Sequence, residues 1–241
     1  MPYFLLAFTA VLAATANAGG QAVLDIYGDP ILGGSYYVIP EFFGPAGGLN
    51  LVTLGDRPCP LYIGQESSEA ENGIPVKFSN WMSGVGFVPE SEDLNIDMDV
   101  KATICDEPTY WSAVPSNLYV MKYYVEAGRK PRSGKDSWRS FFQIKKNYDF
   151  EESDSYNIAL CYKGGGCENV GIYTDEHGVR RLAVYGSREP EPFPVVFVKA
   201  NETETSFKKT IVVPMKVGFM ASNTSDQRLT NLLTRELYPP M

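Results

Sequence analysis

The stretch Cys161-Tyr-Lys-Gly-Gly-Gly-Cys167, continuing Glu168-Asn-Val-Gly-Ile-Tyr-Thr-Asp-Glu-His-Gly-Val-Arg-Arg-Leu-Ala-Val-Tyr185, decides the fold class. Its two cysteines stand six positions apart with three glycines directly before the second. So short and flexible a run can bend back and close a small disulfide loop, because glycine tolerates positive φ. Val170 and Ile172, then Leu182 and Val184, alternate with polar neighbours, the period of half-buried strands. Between them Thr174-Asp-Glu-His-Gly178 is turn chemistry, so the two runs are expected to pair as a hairpin.

Outward from that hairpin the pattern repeats. Strands are expected at Val23–Ile26, Tyr36–Ile39, Leu49–Leu54, Leu61–Gln65, Leu118–Val125, Phe141–Lys145, Tyr156–Cys161 and Val195–Lys199. The cleanest alternation runs from Leu94 to Ile104. There Leu94, Ile96, Met98, Val100, Ala102 and Ile104 are apolar, while Asn95, Asp97, Asp99, Lys101 and Thr103 are polar. The fold class is all-β, with about twelve strands and turn signals spaced as in a barrel or sandwich. The pattern alone fits a β-trefoil and a sandwich equally well.

Residues 1–18 read as a secretory signal peptide: an apolar run from Phe4 to Ala14, then Ala16-Asn17-Ala18 as a small-x-small cleavage site. The run is too short for a membrane span. A mature domain over residues 19–200 is expected, secreted to the extracellular space or the vacuole, followed by a disordered or processed tail over 201–241. The sequons at Asn201 and Asn223 suit a secreted surface. In an oxidising compartment the four cysteines, Cys59, Cys105, Cys161 and Cys167, read as two disulfides. They allow three pairings and the sequence does not choose among them. The short separation favours Cys161 with Cys167, which leaves Cys59 for Cys105.

The charge balance excludes several functions. A net charge of −8 carries no nucleic-acid footprint. The basic residues Arg129, Lys130, Arg132 and Lys135 cluster in what reads as a solvated or protease-facing loop. No cofactor is implied, and with one histidine and no Cys-x-x-Cys, neither is a metal. An enzyme is the weakest class, because His177 sits in a turn and the carboxylates Asp97 and Asp99 fall on the outer face of a strand.

The segment Val23-Leu-Asp-Ile-Tyr-Gly-Asp-Pro-Ile-Leu-Gly-Gly-Ser-Tyr-Tyr-Val-Ile39 resembles the signature of the plant Kunitz, or soybean-trypsin-inhibitor, family. Cys59-Pro-Leu61, the Asp93-Leu-Asn-Ile run leading to Cys105 and Trp111, and the stretch quoted first match that family in order. The miraculin-like and amylase/subtilisin-inhibitor branches are similar as well. The resemblance covers residues 23–199 and implies a β-trefoil with disulfides Cys59–Cys105 and Cys161–Cys167. It implies inhibition of a serine protease by a monomer, through a rigid substrate-like loop.

Carried onto this chain, that loop lies in Ser79-Asn-Trp-Met-Ser-Gly-Val-Gly-Phe87, with Asn80, Trp81, Met82, Ser83, Gly84 and Val85 facing the protease. Counting from Cys59 by the family spacing puts the specificity residue at Ser83; counting back from Cys105 gives Met82. Neither is Arg or Lys, so the resemblance implies a chymotrypsin-, elastase- or subtilisin-like target rather than trypsin. The alternative is a non-inhibitory storage or defence protein, or a member that binds an α-amylase. Gly84 and Gly86 each add about 0.5–1 kcal/mol of ordering cost relative to alanine. The family also braces the loop with an asparagine from the N-terminal loop, where this chain has Leu32-Gly-Gly-Ser35.

Overall fold

The structure is a computed structural model; it describes residues 20–41, 46–117, 122–131, 137–148, 154–162, 165–185 and 191–201. The expected signal peptide, the start at Gly19, Asn223, the tail beyond Asn201, and the basic residues Arg132 and Lys135 lie outside them. Among the described residues the chain forms fourteen strands and one short 3-10 turn at Ser137–Ser140.

The strands group into three similar units. The first is β1 (Tyr36–Pro40), β2 (Leu49–Leu54), β3 (Arg57–Gln65) and β4 (Val76–Ser79). The second is β5 (Asn95–Met98), β6 (Tyr110–Asn117), β7 (Lys122–Gly128) and β8 (Phe142–Lys146). The third runs β9 (Tyr156–Cys161), β10 (Cys167–Asn169), β11 (Gly171–Thr174), β12 (Arg180–Tyr185), β13 (Glu191–Pro192) and β14 (Val195–Lys199).

In each unit the outer strands enter a barrel and the inner pair forms a hairpin. The barrel closes: β14 pairs with β1, β1 with β4, β4 with β5, β8 with β9, and β9 with β14. The last gap is bridged by Leu94 and Phe142, whose N–H and C=O groups bond reciprocally at 2.9 Å. The hairpins β2–β3, β6–β7 and β11–β12 then meet at one end of the barrel. There β3 pairs with β7, β7 with β12, and β12 with β3. Six barrel strands capped by a triangle of three hairpins is a β-trefoil, and closure leaves the barrel no open edge.

The core fills that barrel. Trp111 lies edge-on to Phe142 with ring centroids 5.7 Å apart, and Phe197 packs against both Phe78 and Tyr156. The edge-to-face pairs Trp111–Phe142 and Phe78–Phe197 add about 0.5–1.5 kcal/mol each beyond their burial. Gly73, at φ 72°, lets the chain cross β2 closely; a Cβ there would meet the Leu49 carbonyl oxygen at 2.1 Å. Both disulfides are present: Cys59–Cys105 ties β3 to the loop after β5, and Cys161–Cys167 closes the short turn between β9 and β10. In the chain-entropy model they stabilise by roughly 4 and 2 kcal/mol.

Several sequence expectations need correction. The run Leu94–Ile104 is a strand only over Asn95–Met98. The chain leaves the sheet after Met98 to carry Cys105 to Cys59, and Ile104 is 45% exposed. Val23–Ile26 is not a strand but a looped segment holding isolated bridges, Ala22 to Pro89 and Leu24 to Pro30. The strands β4 and β6 were not anticipated.

Candidate functional site

The segment joining β4 to β5 is held to the barrel along both of its limbs. Its rear limb is fixed by backbone bonds. Val88 donates to Ile31 at 2.8 Å and accepts from Val23 at 2.9 Å; Glu90 donates to Gln21 at 2.7 Å, and Ser91 to Ile144 at 2.8 Å. Val23, Ile31, Val88 and Leu94 are fully buried, so this limb is part of the core rather than an appendage.

The front limb is held by side chains. Asn80 stands at φ 74°, a left-handed conformation asparagine tolerates better than most residues. Its Nδ2 donates to Asn95 Oδ1 at 3.0 Å, and Asn95 Nδ2 donates to the Ser140 carbonyl at 2.7 Å. Asn95 is 1% exposed, although it is one of the polar residues of the Leu94–Ile104 alternation. Across the apex, Trp81 Nε1 donates to the Val85 carbonyl at 2.9 Å, while the indole packs on the core. The Ser83 amide donates to Glu92 Oε1 at 2.5 Å.

These bonds leave the apex outward and ordered. Met82 is 90% exposed, the highest value among the exposed large apolar side chains. Gly84 has φ 68°, a region where a Cβ is strained, so this glycine serves the turn instead of merely loosening it. Gly86 has open space around it and negative or extended φ, so its cost stands. All six loop residues singled out from the sequence thus fall on one projection. The N-terminal segment braces it through the Val23 and Ile31 backbone, and the bracing asparagines are Asn80 and Asn95. Asn95, Glu92 and Ser140 were missed in the sequence because each acts on a residue far from it in the chain. The one signal was Asn95, a polar residue between Leu94 and Ile96 in a short strand.

The other residues weighed in the sequence lie away from this loop. The His177 ring is 71% exposed, 3.6 Å from Glu176, and its amide closes the β11–β12 turn on Asp175. Among the described residues no group of three or more His, Cys, Asp or Glu is placed to hold a metal, and no helix is long and apolar enough to cross a membrane. Arg129 pairs with Glu107 at 3.4 Å and Lys130 lies over Tyr110.

Asp97 and Asp99 are not the free carboxylates the alternation implied. Asp99 accepts from Lys77 at 2.7 Å and from the Ser35 hydroxyl at 2.6 Å. Burial pushes the Asp97 carboxyl up to about 6, against the pull of Lys77. The folded protein therefore keeps a proton there that the unfolded chain, titrating near 3.8, has lost. Stability contributed by this proton is full below the unfolded value and falls as pH rises through about 6. Asp97→Asn is expected to raise Tm at pH 7.5 and to lose that gain by pH 4; thermal melts across that range check it.

The chain is thus a closed β-trefoil from which the loop between β4 and β5 projects outward, held along both limbs. The comparisons name the family. A sequence model of the legume Kunitz family, trypsin and protease inhibitors, matches residues 23–199, and the chain belongs to that family. Kunitz trypsin inhibitor 4 of Arabidopsis thaliana is 49% identical over 212 residues, covering 86% of this chain and 94% of that one. Soybean trypsin inhibitor, solved in complex with porcine pancreatic trypsin, superposes with a TM-score of 0.61 at 28% identity, covering 75% of this chain and 100% of that one. A rice bifunctional α-amylase/subtilisin inhibitor superposes with a TM-score of 0.56 at 29% identity, covering 76% and 100%.

Proposed function

We propose that this protein inhibits a serine endopeptidase with an apolar primary pocket, chymotrypsin-, elastase- or subtilisin-like, through Asn80, Trp81, Met82, Ser83, Gly84 and Val85. The observation that carries this is the almost fully exposed Met82 at the apex of a loop hydrogen-bonded along both limbs to the barrel. Affinity in such a complex comes largely from ordering already done in the free protein. If the loop is cut, its tethered ends stay at high effective concentration and rejoin. An interface of standard size then suffices for tight binding.

By the family resemblance, Met82 and Ser83 fall where trypsin-directed members carry a basic residue. A trypsin pocket would be left with a buried, unpaired carboxylate, which argues against trypsin. The names of the relatives support protease inhibition, and the rice relative's name extends that to subtilisin. Titrating the mature protein against chymotrypsin, elastase, subtilisin, trypsin and an α-amylase tests the reading. Stoichiometric loss of chymotrypsin or subtilisin activity is expected; loss of amylase activity alone would reject it.

The same reading has the chain secreted, acting as a monomer, with glycan at Asn201 or Asn223. Asn201 is exposed and directly follows the residue at which β14 leaves the barrel. N-terminal sequencing of the secreted protein is expected to begin at Gly19, after Ala18; a sequence beginning at Met1 would overturn this.

A further inference from the structure

We propose that Glu92 is a positioning residue of the loop and that its carboxylate assigns Met82–Ser83 as the reactive bond. The inference rests on the reading of residues 79–87 as the inhibitory surface. Glu92 Oε1 accepts the Ser83 amide proton at 2.5 Å, a charge-assisted bond between the apex and the rear limb. The backbone that carries Glu92 is itself fixed. Ser91 before it is held at φ 58° with its amide on Ile144, and Leu94 beyond it pairs with Phe142.

The bond discriminates between the two registers. A substrate-like segment binds a protease by main-chain hydrogen bonds, and the specificity residue offers its N–H to an enzyme carbonyl and its C=O to the oxyanion donors. Were Ser83 that residue, its N–H would have to leave Glu92, and the carboxylate would then face an enzyme carbonyl oxygen. With Met82 as that residue, Ser83 supplies the leaving-group nitrogen, and its N–H goes on donating to Glu92 throughout binding. The exposed Met82 side chain is then free to enter the pocket.

The reversible step follows. The hydroxyl oxygen of the protease serine bonds to the Met82 carbonyl carbon, and its proton passes to the enzyme histidine. The Met82–Ser83 C–N bond breaks, the histidine returns the proton to the Ser83 nitrogen, and an acyl-enzyme ester and a free amine result. Glu92 keeps that amine beside the ester. The Trp81 to Val85 bond ties the acyl side to the amine side across the break. Attack by the amine nitrogen on the ester carbon, reversing the sequence, then outruns attack by water.

Two measurements test this on the whole protein. In 15N-labelled protein the Ser83 amide proton is expected to resonate downfield and to exchange slowly with solvent, and to lose both features in Glu92→Ala but not in Glu92→Gln. With chymotrypsin, Glu92→Ala is expected to weaken inhibition about 10–100-fold and to be turned over as a substrate, giving a fragment that begins at Ser83. Glu92→Gln, which keeps an acceptor oxygen, should recover most of the affinity. An inhibitor cut after Ser83, an unprotected Ser83 amide, or an unchanged Glu92→Ala would overturn the assignment while leaving the inhibitory reading standing. A protected Ser83 amide in a protein that inhibits none of chymotrypsin, elastase and subtilisin would instead place the fault in the inhibitory reading, and the assignment would fall with it.

Discussion

Arginine in place of Met82 is expected to turn this protein into a tight trypsin inhibitor. The guanidinium would meet the carboxylate at the base of the trypsin pocket, and pairing a buried charge of that kind is worth about 2–5 kcal/mol. That corresponds to a fall in the inhibition constant by a factor of roughly 30 to several thousand. The gain needs a stiff backbone, which the Asn80–Asn95, Trp81–Val85 and Ser83–Glu92 bonds provide. Arginine at Ser83 should do little, because that side chain is not the one presented to the pocket. Micromolar or weaker binding by both variants would mean the loop is too mobile to mimic a substrate. Nanomolar trypsin inhibition by the unmodified protein would point instead to Arg129 and Lys130.

Replacing Asp175 with asparagine is expected to destabilise the fold by about 3–5 kcal/mol, lowering Tm by roughly 6–20 °C. Arg181 is 1% exposed where the three hairpins meet; its Nη1 donates to Asp175 Oδ2 and its Nη2 to the Thr53 carbonyl at 2.7 Å. Without the carboxylate a buried guanidinium is left without its counter-charge. Burial raises the Asp175 carboxyl, but Arg181 and the Val179 and His177 amides outweigh it and hold it below the usual 3.8. A depressed carboxyl contributes stability that is full above the unfolded pKa and is lost as pH falls through the folded one. Stability from this pair is therefore lost as pH falls below 3.8, and Asp175→Asn should flatten the pH dependence there. Equilibrium denaturation at pH 7 and pH 3 measures both. A loss under 1 kcal/mol at pH 7 would show that the pair is not what holds the triangle.

Much of this fold was legible in the sequence because its strands are local patterns. Leu49–Leu54, Tyr156–Cys161 and Val195–Lys199 have the bounds read from alternation alone. The hairpin of Gly171–Thr174 with Arg180–Tyr185 turns where Asp175 and Gly178 bond to each other. The pairing of hairpins into a triangle was not legible, and only the family resemblance separated a trefoil from a sandwich. β6 escaped notice because Pro115 sits among its small and aromatic residues, and pairing with β7 overrides the weak local signal. The run past Met98 misled for the opposite reason: Val100, Ala102 and Ile104 keep the alternation, but the link from Cys105 to Cys59 sets the chain's path.

The site divided in the same way. The candidate loop was placed by counting the family spacing from Cys59 and Cys105, whereas its bracing was not legible, because Asn80 meets Asn95 and Ser83 meets Glu92 across separations of fifteen and nine residues. An N-terminal asparagine was sought as the brace. The N-terminal segment instead supports the loop with the backbone of Val23 and Ile31, which any sequence can supply and no residue type betrays.

The central claim is that one loop, led by Met82, occupies the cleft of a serine protease with an apolar pocket. A crystal structure of the mature protein bound to chymotrypsin tests it most directly. The Met82 side chain is expected in the primary pocket, its carbonyl oxygen among the oxyanion donors, and the Ser83 amide still on Glu92. A protease seated elsewhere, on Arg129 and Lys130 or on the hairpin triangle with residues 79–87 free in solvent, would contradict the account.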